Sequence, residues 1–423
     1  MIYVYIAAII ILLLIQYKIY KKIITPFTCI AVPYLIIIPM NNYWAVNIGF
    51  HVITVNVMIM IISGLILFFV GSIIANNRRQ IVSTDVVAAR ENSNTEFELY
   101  NFRGMMKYAF FVSIIALIRV AIGISRGGLG YFASSAGEGF MTSGIVGHLL
   151  LSLYPIIPIL LYYWLNNKKK VKYLIAIIIP VMCLFLSFVK YHSIALLVLC
   201  FMFVAFKNRK YVKVGSVAIV ALAIFVFVFN YYLDFRSRGV LNNINQSFYM
   251  LHLWKYIGGG LIHDGEIFVF GVNNAWSGLY KIGRLFCALP NMILYPFFGY
   301  KPLFTSIASD LGFSAVSDIG ESGNTVDFIG YMFPSDKSVF GFVIFGLTLI
   351  GLGYISTKLF NKAYDDLNNY SRLCTALSFT VFFCFFSFFG VYGALSTPWE
   401  IIVWSIIMPN LFYEKANVKF RIR

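Results

Sequence analysis

The sequence predicts an all-α protein: a polytopic bundle of about eleven membrane-spanning helices with one long, partly helical loop on the outer face. Three observations carry that expectation. Hydrophobic residues make up 60% of the 423-residue chain and charged residues only 12%, against roughly 25% charged in an ordinary soluble domain. Apolar runs close to the roughly 20 residues that a span needs recur along it. Lys and Arg gather in alternate loops between those runs. A long chain so poor in charge cannot keep its surface wet, and in lipid every backbone polar group must be satisfied within the protein.

The runs lie near 2–17, 23–40, 52–75, 106–124, 145–165, 174–189, 192–206, 214–233, 337–357, 373–393 and 398–413. Only Lys190 and Tyr191 separate the sixth from the seventh. The first run has no basic segment ahead of it and no small-residue cleavage site behind it, so it is expected to stay as a span. Basic residues cluster around 18–22, 78–107, 168–172, 207–213, 358–372 and 415–423, whereas the short loops of the opposite set carry Arg126 and Lys190. The positive-inside rule makes the basic set cytoplasmic, with the N-terminus outside and the C-terminus inside. The net charge of +16 is then a topology signal, and no nucleic-acid partner is expected. The layout is a bundle of about eight spans over 1–233, a long periplasmic loop over 234–336, and about three spans with a cytoplasmic tail over 337–423.

Cys29, Cys183, Cys200, Cys374 and Cys384 fall inside apolar runs, where cysteine behaves as a small hydrophobe. Cys287 stands alone in the long loop, which leaves no disulfide framework. No CxxC or HExxH pattern occurs, so neither a metal nor a cofactor is expected. No internal repeat is visible, which argues against an inverted-repeat transporter.

Within the long loop, Trp276–Leu289 reads as an amphipathic helix of the membrane interface. Leu279, Ile282, Phe286 and Leu289 share one face, Lys281 and Arg284 another, and Pro290 is expected to end it. Charge near a bilayer is rare and tends to mark function. Arg119, Arg126, Lys190, His192, Arg236 and Arg238 all fall near the outer leaflet by this topology. Together they form a candidate site for a phosphate or pyrophosphate headgroup, for which guanidinium offers bidentate donors. Each could equally reach the headgroups as an ordinary interfacial side chain. His252 and His263 are of the residue type for a general base, and each also reads as an ordinary packed or exposed histidine.

Residues 324–357 (NTVDFIGYMFPSDKSVFGFVIFGLTLIGLGYIST) resemble the C-terminal part of the oligosaccharide repeat-unit polymerases, the Wzy-type O-antigen and capsule polymerases. Asn324 and Thr325 match the start of that segment, and Asp336 and Gly341 match its acid and second glycine. Ser338 stands where the first glycine is usual, and Gly346 and Gly351 continue a glycine-spaced span. Arg126 followed by Gly137 resembles the Arg-x10-Gly spacing of such polymerases, and Arg119 with Gly130 meets it too. The sequence departs from the family after the sixth span, where Lys190 and His192 occupy the place of a common arginine.

The resemblance implies a glycosyltransferase of the bacterial inner membrane that polymerises undecaprenyl-pyrophosphate-linked oligosaccharide units into O-antigen or capsule. Lipid bilayer, lipid-linked oligosaccharide and a chain-length regulator are the partners it implies. Such chemistry needs cations for the leaving pyrophosphate and a base for the acceptor hydroxyl. Arg126, Lys190, His192, Arg236, Arg238, Lys281, Arg284 and Asn324 are the candidates for binding pyrophosphate and glycan. His263, Asp264, Glu266 and Asp336 are the candidates for the base. An O-antigen ligase, a flippase for the same lipid-linked units and a non-catalytic scaffold are the alternatives.

Overall fold

The computed structural model describes residues 1–76, 99–133, 140–167, 170–186, 190–237, 246–270, 278–298, 314–318, 322–323, 327–334, 338–389 and 396–414. These are mostly helical, with connecting turns and a pair of two-residue strands. In chain order the main helices are α1 (Ile2–Tyr20), α2 (Pro26–Tyr43), α3 (Val55–Asn76), α4 (Phe102–Gly127), α5 (Gly144–Asn166), α6 (Val171–Phe185) and α7 (Lys190–Lys207). There follow α8 (Val212–Ser237), α9 (Gln246–Phe270), α10 (Gly278–Phe298), the short α11 (Phe328–Met332), α12 (Val339–Asp365), α13 (Tyr370–Phe383) and α14 (Ser396–Leu411). Over its described residues, each apolar run of the sequence overlaps one of these helices. Among the described residues seven are long and apolar enough to cross a membrane: α1, α3, α4, α5, α12, the Val212–Phe229 part of α8, and α13 with its continuation to Phe388. Helix α6 and Tyr191–Lys207 of α7 are apolar but shorter.

The chain divides into two compact units. Unit 1 comprises Met1–Arg78, Asn245–Lys362 and Phe379–Glu400, and unit 2 comprises Arg79–Ile244, Ala363–Ser378 and Ile401–Arg423. The segment read as an outer loop is thus no separate body: from Asn245 onward it clusters with α1–α3.

Small residues set the close packing of unit 1. A side chain at Gly71 of α3 would overlap the Ile350 carbonyl of α12, and one at Gly353 would overlap the Phe68 carbonyl of α3. The two backbones therefore touch, as small residues permit between membrane helices. Ser72 seals the contact: Tyr20 donates to its carbonyl at 2.6 Å and Thr357 donates to its hydroxyl at 3.0 Å. At the end of α2, Asn41 and Asn42 bind the returning chain through the carbonyls of His51 and Ile53, at 3.0 and 2.9 Å. Trp254 of α9 donates to Asn41 at 2.8 Å, satisfying a polar group that would otherwise be buried alone.

Helix α10 corrects one expectation. It does not stop at Pro290 but runs on to Phe298. A proline inside a helix loses its own N–H bond and crowds the carbonyl four residues back, at about 3 kcal/mol, and here the apolar residues beyond it continue the helix. Leu285, Ala288 and Asn291 are buried on one side, whereas Phe286, Ile293 and Phe297 are exposed on another. An apolar outward face is what a helix against lipid carries.

In unit 2, α4 and α5 pack with α6 and α7. Asn101 caps α4, accepting from Gly104 N at 2.7 Å. Tyr100 stacks on Tyr370 with ring centroids 4.2 Å apart, and Phe102 stacks on Tyr163 at 4.1 Å. The Tyr100 hydroxyl also accepts from Tyr370 N and donates to the Asn368 carbonyl, which pins the turn before α13 to the start of α4.

Candidate functional site

Two side-chain clusters stand out, one within each unit. The cluster of unit 1 is built on a buried carboxylate. Asp327 has no exposed surface and caps α11, its Oδ1 accepting from Ile329 N at 2.7 Å and Gly330 N at 3.1 Å. The same oxygen accepts from the Tyr34 hydroxyl of α2 at 2.8 Å. Tyr5 of α1 donates in turn to the Tyr34 carbonyl at 3.1 Å, and Ser387 lies beside the Tyr34 hydroxyl. Oδ2 of Asp327 has no hydrogen-bond partner among the described residues.

Asp264 reaches the same place from α9. It is 4% exposed and its neighbour His263 is 3% exposed. The Asp264 carboxyl group packs against Gly330, where an added Cβ would overlap all three of its terminal atoms. Burying two carboxyl groups around one tyrosine is costly unless polar contacts compensate. In a chain with so little charge that cost marks the site.

The cluster of unit 2 is cationic. Arg119 and Arg126 stand seven residues apart on α4, so two helical turns place them on one face. The chain reverses at Gly128, whose φ of 65° lies in the left-handed region that glycine tolerates. A one-turn helix, Gly130–Ala133, then folds Phe132 onto Gly123, where any side chain would overlap its ring. A 3-10 turn, Phe140–Thr142, brings the Phe140 ring under both guanidinium groups, 4.5 Å from Arg119 and 5.3 Å from Arg126. Arg119 donates to Ser143 Oγ at 2.8 Å and Arg126 to the Tyr131 hydroxyl at 3.1 Å. Among the described residues neither arginine has a carboxylate within ion-pair distance. Two guanidinium groups held by an aromatic ring and hydroxyls, with no acid among the described residues to neutralise them, are arranged to receive an anion.

The remaining candidates divide by position. His192 lies in the interior of unit 2 at 2% exposure, with its carbonyl bound by Tyr154 at 2.8 Å. The ring is packed within the first turn of α7, which begins at Lys190, and is not exposed at an outer turn. Lys190, Arg236, Glu266, Lys281 and Arg284 fall on helices α7, α8, α9 and α10, but their side chains lie outside the described residues, as do Arg238, Asn324 and Asp336 altogether. Asp327 was not among the candidates of the sequence. Its signal was a lone acid opening a short apolar segment, DFIGYM, the residue type of a helix N-cap.

Compared with protein-family models, curated proteins and solved structures, the chain matches none. Several of its helices are those of a multi-pass membrane protein.

Proposed function

We propose that this protein is a membrane glycosyltransferase that polymerises oligosaccharide repeat units carried on undecaprenyl pyrophosphate, at the outer face of the bacterial inner membrane. The observation that supports this reading most is the pair Arg119 and Arg126, both over the Phe140 ring, with no carboxylate within ion-pair distance among the described residues. With about eleven spans, the N-terminus outside and the C-terminus inside, the end of α4 that carries Arg126 reaches the outer leaflet. There it meets the headgroup of a lipid-linked donor.

In the reaction, the hydroxyl oxygen of the non-reducing-end sugar of one unit bonds to the anomeric carbon of the glycan on another carrier. The bond from that carbon to the pyrophosphate oxygen breaks, and the electron pair leaves with undecaprenyl pyrophosphate. Charge grows on the leaving group, and preorganised guanidinium donors stabilise it most at that moment. The hydroxyl proton passes to a base, for which Asp264 is the choice, with His263 beside it. The carrier linkage supplies the energy, so no nucleotide, metal or cofactor takes part. Lys190, Arg236, Arg238, Lys281, Arg284 and Asn324 remain candidates for the pyrophosphate and glycan, Glu266 and Asp336 for the base, and a chain-length regulator for a partner.

Deleting the gene and complementing it, with surface glycan read on a gel, tests the proposal. Collapse of the ladder to core plus one repeat unit supports it. Loss of every repeat from the core, with long polymer kept on its carrier, makes the protein a ligase. Single lipid-linked units accumulating inside the cell make it a flippase. An unchanged ladder in arginine variants makes it a scaffold.

A further inference from the structure

The carboxyl group of Asp264 occupies space that exists because residue 330 has no side chain. Glycine weakens a helix relative to alanine, so its presence in the middle of the five-residue α11 answers to that space and not to helix formation. So short a helix does not hold itself, and unit 1 holds it from three sides. Asp327 binds the amides of Ile329 and Gly330. Tyr34 fixes the Asp327 carboxylate from α2. Ile329 fits the notch at Gly64 of α3, where an added Cβ would stand 2.6 Å from its Cγ2. The peptide plane of Gly330, and with it the surface that Asp264 rests on, is therefore set by α2 and α3 together.

We propose that Gly330, oriented by Asp327 and Tyr34, is a positioning element that sets where the Asp264 carboxyl group points. This rests on the reading of Asp264 as the base, and it adds three residues to that base's setting. A methyl group at Gly330 forces the carboxyl away from its place. Loss of the Tyr34 hydroxyl releases Asp327 and lets α11 tilt without adding any volume.

The test uses the full-length protein in native membranes, with Gly330→Ala, Tyr34→Phe and Asp264→Asn compared with the wild type. Two readouts are taken: polymerisation of lipid-linked units over a range of pH, and modification of Asp264 by an apolar carbodiimide, scored by peptide mass. The expected result for Gly330→Ala is at least a tenfold fall in kcat with KM within twofold, a displaced acid limb of the pH–rate profile, and at least a threefold change in the rate of Asp264 modification. Tyr34→Phe shifts both readouts in the same direction by less, and decides the matter if Gly330→Ala does not accumulate. Unchanged modification and unchanged kcat in a folded variant overturn the proposal. If Asp264→Asn polymerises normally while Gly330→Ala alters the modification, the positioning stands and the role of Asp264 as base falls.

Discussion

Tyr34 and Asp327, 293 residues apart in sequence, meet in a 2.8 Å hydrogen bond inside unit 1. The bond joins the second helix of the chain to the cap of α11. Removing a donor from a buried carboxylate costs about 1–3 kcal/mol. Tyr34→Phe is therefore expected to lower the melting temperature of the purified protein in detergent, with Asp327→Ala lowering it further because the cap of α11 is lost as well. Equal melting temperatures for wild type and both variants would show that the bond carries no weight.

Gly71 and Gly353 let α3 and α12 touch, whereas Gly351 on the same helix has open space where a Cβ would go. Gly353→Val is expected to abolish accumulation of folded protein, since the overlap is with backbone that cannot rotate away. Gly351→Ala is expected to be neutral or stabilising by up to about 1 kcal/mol, the difference in helix propensity. Fluorescence-detected size exclusion of the two variants in detergent checks the contrast.

Trp254 satisfies Asn41, and Asn41 holds the chain returning at His51. Trp254→Phe keeps most of the ring volume but leaves the Asn41 oxygen without its donor, a loss of roughly 1–3 kcal/mol. Protease sensitivity of the segment at residues 44–54 is expected to rise in that variant, and an unchanged cleavage pattern would refute the link.

Arg126→Lys keeps the charge but loses the planar donor pair. It is expected to retain a small fraction of the polymerisation rate, and Arg126→Ala less. Phe140→Leu removes the ring from under both arginines without changing any charge, and is expected to weaken anion binding by several-fold at about 0.5–1 kcal/mol for each cation–π contact. Rates from membranes holding equal amounts of each variant decide the order.

Much of the fold was legible in the sequence because lipid imposes a one-dimensional rule: apolar runs of sufficient length become helices, and each run overlaps a helix among the described residues, seven of those helices long and apolar enough to cross a membrane. The pair Arg119 and Arg126 could be seen as misplaced charge for the same reason, whereas Asp264 entered only as one of four candidate bases. What held Arg119 and Arg126 together could not be seen, because Phe140 reaches them only after the chain has turned at Gly128. Asp327 was missed because the side chain that binds it, Tyr34 on α2, lies 293 residues away in sequence. The sequence also set α10 too short, because Pro290 reads as a terminator whenever the cost of an interior proline is weighed without the apolar residues that follow it. His192 was placed at the surface by its position between two runs, whereas side-chain packing in unit 2 takes it inside.

The most direct measurement uses purified protein in proteoliposomes, supplied with lipid-linked repeat units extracted from its host and nothing else. A glycan ladder with release of one undecaprenyl pyrophosphate for each linkage formed, lost when Arg119 and Arg126 are both replaced by alanine, is the expected result. Intact single units after prolonged incubation with folded protein, or a ladder that survives the double replacement, would contradict the proposed function.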